Sequence, residues 1–99
     1  MQHIGVHIQD KDGKTVQEST INFAEVMKTL YKVPDHKSKY PLLASIDPYD
    51  DTIFNALQST KLVEELKQLG QKENTTVISD SISLLEKVGQ FQYIEFFGD

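Results

Sequence analysis

The sequence predicts an α+β domain in which a small antiparallel sheet, made from an amino-terminal hairpin and a carboxy-terminal strand, is covered by about three helices. Three observations predict it: apolar residues alternate over residues 3–9, helical stripes recur between residues 22 and 88, and an aromatic, β-branched run closes the chain.

Ile4, Val6 and Ile8 alternate with His3, Gly5, His7 and Gln9, the period-2 pattern of a half-buried strand. Asp12-Gly13 separates it from a second extended stretch, so a hairpin turns near residues 11–13 and returns through Thr15 to Gln17. The first helix starts at Asn22, a cap with Glu25 three residues on, and Ile21 can staple onto Val26. Phe23, Val26, Met27, Leu30 and Tyr31 then form one helical face, and Pro34 ends it.

"PDHKSKYP" is a polar loop between two prolines, and "LLASI" is a buried turn or a short strand. Residues 61–70 make a second helix with Leu62, Val63, Leu66 and Leu69 on one side, capped by Ser59 or Thr60 and stopped at Gly70. Ile53, Phe54 and Leu57 point about 150 degrees away from that stripe, which places a joint at residues 58–60. A third helix runs over residues 76–88, where Ile78, Ile82 and Leu85 make one row and Val77, Leu84 and Val88 the next, with Gly89 as its stop. "FQYIEFF" has little polar alternation and predicts a strand covered on both faces.

Composition bounds the chemistry. Ninety-nine residues suffice for one domain, and the 38 % apolar and 25 % charged fractions are those of an ordinary globular chain. The absence of cysteine removes disulfides, thiolate metal sites and cysteine nucleophiles. All ten cations are lysines and the net charge is −5, so no arginine-rich phosphate-binding face exists and nucleic acid is an unsuitable partner. The amino terminus lacks a basic, apolar leader and no apolar run reaches the roughly 18 residues of a membrane span, so a cytoplasmic protein is expected.

The most informative stretch is "SIDPYDDTIFNALQ", in which Asp47, Asp50 and Asp51 surround Pro48 and Tyr49. Asp47-Pro48 fits a helix start, with Asp as cap and Pro in the first turn; it equally fits an Asx-Pro turn leading into a short strand through Thr52 to Asn55. Clustered carboxylates suit a hard divalent cation, which makes a small metal-dependent hydrolase one expectation. No Asp-x-Asp pattern supports it there, and an EF-hand loop begun at Asp10 ends on Ile21 where Glu is required.

His3 and His7 have helical zinc spacing, but on a strand their Cα atoms stand about 13 Å apart, too far for the pair to share one ion. His36 is a loop residue without a motif, and the chain has no serine elbow, phosphate-binding glycine loop or His-Glu-x-x-His. No cofactor is called for.

Among the aromatic residues, Tyr31, Phe91, Tyr93, Phe96 and Phe97 are expected mostly in the core. Tyr40 and Tyr49 flank polar loops and are expected at the surface beside the aspartates. An acidic rim with a tyrosine anchor suits a basic protein partner. The leading functional expectation is therefore a non-enzymatic protein-binding module of inhibitor or immunity type, contacting its partner through Tyr40, Asp47, Tyr49, Asp50, Asp51 and Asn55. A homodimeric structural protein is a further alternative.

The stretch "YPLLASIDPYDDTIFNALQSTKLVEELKQL" and the terminal "YIEFFGD" resemble a family of small uncharacterised bacterial proteins with the pattern P-L-L-x-x-I-D-P-Y-x-D-T-x-F-N-x-L-Q and a final strand ending in Gly-Asp. The resemblance covers about half the chain closely and implies no activity. It implies that Asp47, Tyr49, Asp51, Asn55 and Gln58 form a recurring local arrangement.

Overall fold

The computed structural model describes residues 3–98, which form a four-stranded antiparallel sheet and five helices, an α+β fold. The strands β1 (Ile4–Gln9), β2 (Thr15–Gln17), β3 (Asp51–Asn55) and β4 (Tyr93–Gly98) lie in the order β2-β1-β4-β3. As the sequence predicts, the two ends of the chain meet in one sheet, Ile4 opposite Gly98 and Gln9 opposite Tyr93. The β1–β2 hairpin turns at Gly13, whose φ of 82° is the left-handed conformation that glycine adopts without steric cost. Asp10 Oδ1 closes the turn by accepting the N–H groups of Asp12 and Lys14.

One sheet face is the core. Ile4, Val6, Ile8, Ile94, Phe96 and Phe54 pack under the helices, and the ring of Phe96 meets Phe23 at 4.7 Å and Phe54 edge-on at 5.9 Å. The other face is only partly covered, which corrects the expectation that β4 is covered on both sides: Tyr93 and Glu95 are half-buried there and Phe97 is exposed, while Gly5 and Gln9 of β1 are buried.

Helix α1 (Ala24–Tyr31) buries Val26, Met27 and Leu30 behind Phe23, as its stripe predicts, and leaves Tyr31 exposed at the stripe's margin. Asn22 serves the junction with the sheet, its Oδ1 accepting the N–H groups of Ile4 and Ala24. The expected polar loop holds one helical turn, α2 (His36–Lys39), and "LLASI" opens with another, α3 (Pro41–Ala44). These two turns raise the helix number above the expected three.

Helix α4 (Ala56–Lys72) starts five residues before the expected 61. The joint expected at residues 58–60 is displaced to Asn55, whose side chain accepts the Gln58 N–H while Gln58 returns a bond to the Asn55 N–H. Leu57 faces solvent, so the helix has no need to bury it with Leu62. Gly70 does not stop α4; it lies inside the helix, facing Ile78 of α5 (Thr76–Leu85). Thr75 caps α5, which ends before the expected residue 88, and the serines expected at its start lie within it.

Candidate functional site

The DPYDD stretch is a turn leading into a strand, not a helix start. Asp47 Oδ1 accepts the Tyr49 N–H at 2.9 Å, the Asx-turn bond, and the Asp47 N–H donates to Thr52 Oγ1 at 2.9 Å across the turn. Asp50 supplies both ends of its own link: its carbonyl accepts the Gly98 N–H and its Oδ1 accepts the Asp51 N–H. Gly98 must be glycine in this packing, because a Cβ there would overlap the Pro48 carbonyl.

Neighbouring elements hold the turn from below. Glu65 of α4 accepts the N–H groups of Leu42 and Leu43, satisfying the start of α3, and α3 delivers the buried Ile46 just before Asp47. The backbone of the turn is therefore fixed while its side chains face outward. Asp47, Asp50 and Asp51 are exposed, and Tyr49 is 65 % exposed.

Tyr31 completes the surface from the end of α1. Partial burial, then the neighbouring Tyr49 phenol and Asp47 carboxylate, raise its pKa above the ordinary 10.0. Its ring also contacts His36 at 5.4 Å. The structure thus brings Tyr31, expected in the core, beside Tyr49 and Asp47. Its place at the edge of the α1 stripe was the signal available.

Two expected site residues stand apart. Tyr40 is buried, 3 % exposed, because α2 and α3 turn it inward against α4, so it is no surface anchor. Asn55 lies at the far end of β3, about 13 Å along the strand from Asp51, with its side chain engaged in capping α4.

The partly covered sheet face adjoins the turn through β3. In register across the sheet, Gly5, Phe97 and Asp51 form one row, and His7, Glu95 and Ile53 the next. The Phe97 ring lies across Gly5, where a Cβ would collide with it, and contacts the His7 ring at 5.0 Å. His7 Nε2 meets Glu95 Oε1 at 2.7 Å, so His7 is spent on a cross-strand partner. Ile53 is 49 % exposed; a strand reading of its alternation with buried Phe54 would have found it.

No group of three His, Asp or Glu side chains among the described residues converges where it could hold a metal ion. Two of the three clustered aspartates spend an oxygen on backbone N–H groups of the turn. Among the described residues no helix is long and apolar enough to cross a membrane. No family model, curated protein or solved structure matches this chain.

Proposed function

We propose that this protein is a non-enzymatic binding module that meets a basic protein partner through the turn at residues 47–51. The observation that carries the reading is Tyr49, a large amphipathic side chain 65 % exposed on a backbone-fixed turn and flanked in sequence by three exposed carboxylates. An aromatic anchor on a pre-ordered backbone loses little conformational freedom on binding, and the carboxylates select and steer a cationic surface. Tyr31 extends the contact toward α1. An inhibitor or immunity-type role, in which the acidic turn covers a basic site on another protein, is the use this surface suits best.

The test is a tagged pull-down from the native host at low and at moderate salt, with the wild type beside an Asp47/Asp50/Asp51→Asn variant whose melting curve confirms its fold. The expected result is a stoichiometric basic partner that is retained less as salt rises and is lost by the variant. A partner captured equally by the variant would overturn the assignment of the site.

A further inference from the structure

We infer that β3 is a self-complementary edge through which two copies of this chain pair, antiparallel and centred on Ile53. β3 is the outermost strand on its side of the sheet. The Gly98 N–H bond to the Asp50 carbonyl fixes the ladder's phase: Thr52 and Phe54 direct their backbone groups toward β4, while Asp51, Ile53 and Asn55 direct theirs outward. Two of the three outward N–H groups are already used, Asp51's by Asp50 Oδ1 and Asn55's by Gln58 Oε1. The N–H and C=O of Ile53 remain as the open position at the centre of the strand.

A two-fold axis beside Ile53 gives that position its partner, since each Ile53 N–H donates to the carbonyl of the other copy. The same register sets Asp51 of one copy opposite Asn55 of the second. There the carboxylate faces an amide and the positive end of the partner's α4, whose first turn carries no acidic residue of its own. The side chains that cross the axis are apolar and exposed, Ile53 against Ile53. Beyond the strand ends the axis brings the exposed Tyr49 end of each copy toward the exposed Leu57 end of the other. The outcome is one continuous eight-stranded sheet.

This pairing does not depend on a basic partner, and salt separates the two. Copies that each carry a net charge of −5 repel over distance, so added salt leaves the dimer unchanged or tightens it, whereas a complex with a cationic protein weakens. Because Tyr49 and Asp51 serve both surfaces, a second copy and a basic partner compete.

Sedimentation velocity over roughly 10 to 500 µM tests the pairing, a range suited to an interface this small. The expected wild-type result is a concentration-dependent rise from monomer to dimer mass. Ile53→Lys, at a half-exposed edge position, should keep its melting temperature and remain monomeric. Asn55→Asp retains a capping side chain and sets two carboxylates face to face, so it should weaken the dimer about tenfold. Adding Asp51→Asn to Asn55→Asp restores the carboxylate–amide pairing and should recover the wild-type dimer to within about threefold. A wild type that stays monomeric throughout, a dimer indifferent to Ile53→Lys, or a double variant no better than Asn55→Asp would each overturn the inference.

Discussion

The two faces of the sheet are drawn from the same strands, and they do different work. On one, Val6, Ile8, Ile94 and Phe96 are buried under Phe23 and the helices. On the other, Gly5, His7, Glu95, Phe97 and Ile53 form rows that pair with each other across strands, with Phe97 and Ile53 exposed and Gly5 beneath the Phe97 ring. Alternation along a strand separates these sets residue by residue, so the first can supply stability while the second stays available for contact. The turn at residues 47–51 belongs with the second set, since it is fixed in backbone and exposed in side chain.

Adjacent phenylalanines on β4 give the largest expected contrast. Phe96→Ala removes the ring between Phe23 and Phe54 and should cost about 3–5 kcal/mol, enough to unfold a marginal domain, whereas Phe97→Ala should cost about 1 kcal/mol. Denaturant unfolding of both variants measures this; equal losses would erase the distinction between the faces. Next comes Gly98→Ala, which forces a Cβ into the Pro48 carbonyl and should cost about 1–3 kcal/mol while displacing the turn. Gly5→Ala, which meets only the outer end of the Phe97 ring, should cost less because the ring can swing away. Asn55→Ala removes the α4 cap and should cost about 1 kcal/mol by the same measurement.

The smallest effect is electrostatic. The Tyr31 phenol has a raised pKa in the folded state, so the folded chain holds its proton longer than the unfolded chain does. Its contribution is full below the unfolded value near 10.0 and is lost as pH rises through the folded value. Ultraviolet titration should show a phenol ionisation above the ordinary range that Tyr31→Phe removes, and the same variant should flatten the loss of stability above pH 10.0.

How much of this was legible in the sequence follows from what each segment depends on. The α1 stripe was readable because local periodicity decides which side is buried; the β1 alternation picked out Ile4, Val6 and Ile8 but not the burial of Gly5 and Gln9 on the opposite face. The start of α4 was also written in the sequence, as Asn55 with Gln58 three residues on, but assuming that Leu57 must be buried concealed it. The DPYDD stretch was undecidable locally, since the Asp47 bond that makes an Asx turn is nearly the one that caps a helix. What decides it is nonlocal: β3 pairs with a strand some forty residues later, and Gly98 admits Pro48. Within the site, Asp47, Tyr49, Asp50 and Asp51 were identifiable as a cluster of charge around an aromatic ring. Tyr31 and the inward turn of Tyr40 depend on how α1, α3 and α4 pack, which no short window contains.

The most direct test of the recognition surface is to titrate the partner recovered in the pull-down against the wild type and Tyr49→Ala, with melting temperatures measured on the same samples. A backbone-fixed, solvent-facing anchor predicts at least a tenfold loss of affinity at an unchanged melting temperature. Unchanged affinity, or a loss that appears only with a fall in melting temperature, would contradict the account and return Tyr49 to the scaffold.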